Sequence, residues 1–129
     1  MKIILNGLVF ILAAISGCSS VNDNKTEYIE GQSSVLKQTV ISKSSSSVTF
    51  KVVASKGSSC GDYSRSDIII HDSIASVKIF YKRPKDAVCL EVVSSYEADI
   101  VITNLPTRSN YLFKFWVNDT TTRDTTVIL

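Results

Sequence analysis

The sequence predicts an all-β fold, a single antiparallel β-sandwich of seven to eight short strands. Three observations carry this reading. Val, Ile, Ser and Thr are abundant, while the 129 residues hold only 5 Gly and 2 Pro, a composition that favours strands over helices. Short runs of alternating apolar and polar residues recur at hairpin spacing, as in a sandwich. No segment sustains a helical period.

The elements follow in order. Residues 19–32, SSVNDNKTEYIEGQ, are polar with almost nothing to bury. They read as a flexible tether, averaging about 20 Å end to end as a random coil, with Tyr28 and Ile29 placed to add a short edge strand at its end. Val35 to Ile41 is the first convincing strand, but both of its faces carry apolar residues and its inward side stays open. Residues 42–47, SKSSSS, form a low-complexity turn expected inside the domain. Val48 to Ala54 sets Val48, Phe50 and Val52 against Thr49, Lys51 and Val53, the alternation of a half-buried strand.

Ser55 to Asp67, SKGSSCGDYSRSD, is expected to be one long irregular loop turned by Gly57, Gly61 and its serines. A loop of that length in a small domain is a usual place for binding. Ile68 to Ile70 is a short apolar run, interrupted by His71-Asp72-Ser73. Ala75 to Tyr81 directs Val77, Ile79 and Tyr81 one way and Lys78, Phe80 and Lys82 the other. A charged turn, Lys82 to Asp86, leads to Ala87 to Val93, expected to be a further strand carrying Cys89. Strands are then expected over Tyr96 to Ile102, Asn110 to Asn118 and Arg123 to Leu129.

The N-terminus divides the chain. Met1-Lys2 precedes an apolar run from Ile3 to Ile15 broken only by Asn6 and Gly7, and small residues then lead to Cys18. A basic start, a short apolar core and a small-residue cleavage site mark a secretory signal. The run is short of the roughly 20 residues a spanning helix needs. Ile15-Ser16-Gly17-Cys18 resembles the lipobox of bacterial lipoproteins, in which the signal is cut before the cysteine and the new N-terminus carries acyl chains. That resemblance implies a signal peptide over 1–17, a lipidated Cys18 with its tether over 18–32, and a sandwich domain over 33–129. Two or more acyl chains anchor stably where one does not. Ser19 and Ser20 stand where an aspartate would mark inner-membrane retention, which points to the outer membrane of a cell envelope.

Residues 18–129 are one domain by length. The whole chain has 14 Lys and Arg against 12 Asp and Glu, a formal net charge of +2, and removal of 1–17 takes only Lys2 with it. No single-sign field exists to gather nucleic acid. With Cys18 on lipid, Cys60 and Cys89 remain. In an exported chain such a pair is expected to form a disulfide, the alternative being two buried thiols.

Residues 75 to 129 resemble the second half of a fibronectin type III domain. Leu105-Pro106-Thr107-Arg108-Ser109-Asn110-Tyr111 looks like the family's corner before strand F. There a tyrosine six residues after a leucine bonds back to upstream backbone, the tyrosine corner of immunoglobulin-like sandwiches. Tyr111 to Asn118 is similar to strand F, Ser76 to Pro84 to strand C and its turn, and Tyr96 to Thr103 to strand E. The sequence departs from the family in three places. It lacks the tryptophan usual on strand B, its proline follows the leucine by one residue where two is usual, and a long cysteine-bearing region precedes strand C.

Little in the sequence supports catalysis. His71, Asp72 and Ser73 are adjacent, so on a strand they point to alternate faces and make no triad. One histidine and two cysteines 29 residues apart provide no zinc set. Asp62, Asp67, Asp72, Glu97 and Asp99 are scattered at strand ends, the pattern of solvated turn acids. No cofactor motif is present. Trp116 shares a face with Leu112 and Lys114, opposite Tyr111, Phe113 and Phe115, and is expected on an outer surface beside Phe80. Trp116 and Phe80, with Tyr63 and Arg65 in the long loop, are the candidate binding residues. The expectation is a non-enzymatic envelope lipoprotein that binds a protein partner or serves structurally. The alternative is a carbohydrate-binding module using Trp116 or residues 55–67.

Overall fold

The computed structural model describes residues 26–129; the expected signal peptide over 1–17, Cys18 and the expected tether up to residue 25 lie outside the described residues. Eight strands follow in order: β1 (Tyr28–Ser33), β2 (Val35–Lys43), β3 (Val48–Lys56), β4 (Asp62–His71), β5 (Ile74–Pro84), β6 (Ser94–Ile102), β7 (Asn110–Asn118) and β8 (Thr121–Ile128). They build two sheets. One runs β1-β5-β7-β8 with β4 also paired to β5, and the other runs β2-β3-β6. The fold is an all-β sandwich, as the composition and alternation predict.

The alternating residues fill the space between the sheets. Val48, Phe50, Val52 and Ala54 of β3 and Ile100 and Ile102 of β6 are buried against Ala75, Val77 and Ile79 of β5 and Tyr111, Phe113 and Phe115 of β7. Phe50 meets the rings of Phe113 and Phe115 edge-on, each at 4.9 Å between centroids, a favoured aromatic geometry. Each such side chain removed from water contributes about 1.5–3 kcal/mol. The Tyr111 hydroxyl donates to the Pro106 carbonyl, and the buried Leu105 donates its N–H to Ser46 O at 2.9 Å. The corner therefore fastens β7 to the β2–β3 turn.

β1 and β2 are one run of chain that changes sheets at Ser33-Ser34. The Ser34 hydroxyl donates to Val117 O at 2.6 Å, and its carbonyl accepts from Ser55 N–H at 2.8 Å. Bulges at Val35/Lys37 and Val40/Ser42 break the alternation of β2, which is why its inward side is illegible from sequence.

The structure corrects four expectations. β5 pairs with β7 in parallel over Ile74↔Leu112 to Val77↔Phe115, while every other pairing is antiparallel. Residues 62–67 are not loop but the first half of β4, paired with β5 from Asp62↔Lys82 onward; the irregular stretch shrinks to residues 57–61. Ala87 to Val93 is not a strand: it has no ladder partner and forms part of the connection between β5 and β6. The edge strand expected at Tyr28 and Ile29 is present but longer: residues 28–32, read as the end of the tether, all belong to β1, paired from Tyr28↔Pro84 to Ser33↔Ile79 at the edge of its sheet.

Candidate functional site

Four proposed binding residues occupy three different environments. Arg65 stands on β4 with its guanidinium 4.0 Å from the centroid of the Phe80 ring on β5. It reaches across β5 to Glu30 on β1, with Nη2 2.8 Å and Nε 3.0 Å from Oε1, and also pairs with Asp67. The Ser64 hydroxyl donates to the other Glu30 oxygen at 2.8 Å. These bonds, Arg65 first and Ser64 second, hold the Glu30 carboxyl below its ordinary range. Asp67 and Glu30 in turn raise the Arg65 guanidinium. The arrangement is a strap over Phe80, so this ring is not an open stacking platform.

Tyr63 lies on the other side of the sheet. A bulge between Tyr63 and Arg65 lets Tyr63 pack against the core while Arg65 faces outward, and the Tyr63 hydroxyl donates to Ser66 at 3.2 Å. Tyr81 fills the space beside Gly31, where a Cβ would stand 2.8 Å from its ring, and beside Gly61, whose φ of +136° suits glycine. Tyr96 shares a 2.6 Å hydrogen bond with the buried Ser33 hydroxyl, and burial pushes its phenol up. Trp116 is half-buried on the outer face of β7, opposite Thr122.

The acids do not converge. Asp67 is committed to Arg65, Glu97 and Asp99 are exposed on β6 in the other sheet, and Asp72 lies in the β4–β5 turn. There Asp72 takes a left-handed φ of 53° and approaches His71 Nδ1 at 3.3 Å, with both side chains largely in solvent. Among the described residues no group of three or more His, Cys, Asp or Glu is arranged to hold a metal, and no pocket is present.

The feature that the sequence reading missed is the end of the sandwich where β3, β5 and β6 have their loop connections. The disulfide expected between Cys60 and Cys89 forms there, joining residues 57–61 to the β5–β6 connection; what was missed is the exposed loop it pins. Ser59 and Leu90 add a reciprocal pair of bonds, Ser59 N–H to Leu90 O at 2.8 Å and Leu90 N–H to Ser59 Oγ at 2.9 Å. Ser94 Oγ donates to Ser58 O at 2.9 Å. The pinned loop nevertheless presents its apolar side chains to water: Val88 is 100% exposed, Val93 89%, Leu90 69% and Val92 46%. Scattered exposed apolar residues are ordinary, whereas these four lie within six residues of one connection. The signal was present in the sequence as the apolar content of residues 87–93, which reads equally well as a buried strand.

Comparison with protein-family models, with curated proteins and with solved structures found no match.

Proposed function

We propose that this chain is a lipid-anchored module of a bacterial cell envelope, non-catalytic, that binds a protein partner or serves structurally at the outer membrane. The observation that carries the reading is the placement of Ile15-Ser16-Gly17-Cys18 just ahead of the β-sandwich in the sequence. Only the nine residues from Ser19 to Glu27 separate the acylated cysteine from the first strand. The disulfide fits an oxidising, exported setting. The tyrosine corner supports kinship with immunoglobulin-like sandwiches, whereas the parallel β5–β7 pair departs from their antiparallel sheets.

Fractionation of a bacterial host expressing the natural chain and Cys18→Ala tests this. The natural protein should sediment with membranes and leave them only in detergent. Cell-envelope crosslinking of that membrane form should then return a reproducible protein partner. A natural protein recovered in the soluble fraction contradicts the anchor.

A second reading, glycan binding, is narrowed by the strap over Phe80 to Trp116, the half-exposed and sole tryptophan. Titration of Trp116 fluorescence with envelope glycans decides it, since a stacked sugar ring changes indole emission.

A further inference from the structure

We infer that the disulfide-pinned apolar loop, residues 87–93, is a second membrane contact, docking its exposed Val88, Leu90, Val92 and Val93 into the bilayer to which Cys18 is anchored. The inference rests on the lipid-anchor reading and adds to it an orientation for the domain.

The argument starts from where the N-terminal segment joins the fold. Tyr28 pairs with Pro84 at the end of β5. One residue earlier, Glu27 O accepts from Lys85 N–H at 2.8 Å, and Glu27 Oε2 meets Lys85 Nζ at 3.1 Å. The chain arriving from Cys18 is thus bonded to the first residue of the connection that carries the apolar loop. The nine residues between Cys18 and Tyr28 can extend at most about 30 Å, and as a coil average roughly 15–18 Å. The anchored end of the domain is therefore the end that exposes the valines and Leu90. Tethering over that distance holds the loop near the bilayer at high effective concentration.

The chemistry of the loop fits a lipid surface. The four side chains are exposed on the β5–β6 connection, and no pocket among the described residues would take a partner's anchor residue. The disulfide and the Ser59–Leu90 bonds fix the loop's backbone at its middle, so less conformational entropy is lost on contact. Charge plays a minor part. Lys85 is paired with Glu27, Asp86 precedes the loop, and Glu91 stands exposed within it between Leu90 and Val92. The Glu91 carboxylate therefore stays at headgroup level while the apolar side chains make the contact, and anionic lipid does not favour it.

Docking at this end points the β2–β3 turn, the β4–β5 turn and the Leu105–Ser109 corner away from the membrane. Those elements lie at the opposite ends of the strands.

The test uses the full chain, processed and acylated in a bacterial host and reconstituted into phosphatidylcholine vesicles. Val88→Trp is made in a Trp116→Phe background, with Ser46→Trp in the same background marking the far end. Both positions are exposed, so the substitutions do not disturb the core. Val88→Trp emission should shift to the blue and be quenched by brominated phosphatidylcholine, while Ser46→Trp does neither. A water-like, unquenched Val88→Trp in a sample whose mass carries the Cys18 acyl chains overturns the loop contact and leaves the anchor standing. A blue shift without bromine quenching places the loop in a protein contact, such as a second copy, and also overturns the inference. A sample without acyl mass removes the anchor itself and the loop contact with it.

Discussion

Arg65 sits over Phe80, its guanidinium carbon 4.0 Å from the ring centroid, and grips Glu30 on the far side of β5, joining three strands of one sheet on its outer surface. A guanidinium is suited to this role because its planar fork can bond a carboxylate while its face rests on an aromatic ring. The same geometry explains how a phenylalanine is tolerated on an outer face.

The strap carries a pH signature. Glu30 titrates below its ordinary range in the folded state, so its contribution is fully present above the unfolded carboxylate pKa and is lost as pH falls through the lowered folded value. Arg65→Gln should raise Glu30 toward the ordinary carboxylate range, with the Ser64 hydrogen bond still lowering it in part, read by carboxyl-carbon NMR titration. The stability difference between the two proteins should shrink toward acid pH and at high salt.

Tyr111→Phe should keep the buried ring and lose the bond to Pro106. Because Pro106 is exposed and its carbonyl can find water, the expected loss is about 1 kcal/mol in chemical denaturation. Tyr96→Phe strands the buried Ser33 hydroxyl and should cost more, about 1–3 kcal/mol.

Replacing Cys60 and Cys89 together by serine opens a loop of 29 residues' separation. The expected destabilisation is about 3–4 kcal/mol in the chain-entropy account. Hydrogen exchange should show the loss of protection concentrated in residues 57–61 and 85–93, with the β3–β6 ladder intact under native conditions.

Gly31→Ala places a methyl 2.8 Å from the Tyr81 ring. Gly61 also lies close to this ring, since a Cβ built there would stand 3.3 Å from Tyr81 Cδ2, so the ring must shift to admit the methyl. Overpacking of this kind costs about 1–3 kcal/mol, measurable as a lowered denaturation midpoint with unchanged slope.

Much of this architecture is legible in the sequence, and the exceptions have physical causes. β7 is predicted over the residues it occupies because Tyr111, Phe113 and Phe115 alternate without interruption and all three are buried. β4 is hidden in its first half because the bulge after Tyr63 breaks the period, and its outward Arg65 and Asp67 are satisfied by ion pairs. Residues 87–93 fail in the opposite sense. Val88, Leu90 and Val92 alternate as a strand should, but no neighbouring strand is there to pair with them, and the disulfide holds them out in water. Periodicity reports what a segment is able to bury, while pairing depends on what the rest of the fold offers. The parallel β5–β7 register has no local trace at all, since it joins strands separated by β6 in sequence. Among the binding candidates the sequence singles out Arg65 and Phe80 separately but not their mutual contact, because that contact depends on β4 being a strand.

The most direct test of the account is the intact mass of the protein recovered from bacterial membranes without reductant, for the natural chain and for Cys18→Ala. The account predicts a natural chain that begins at Cys18, carries acyl mass and lacks the two hydrogens of the Cys60–Cys89 bridge, with no acylated product from the variant. A natural chain that retains residues 1–17, or is cut elsewhere and carries no acyl mass, would contradict it.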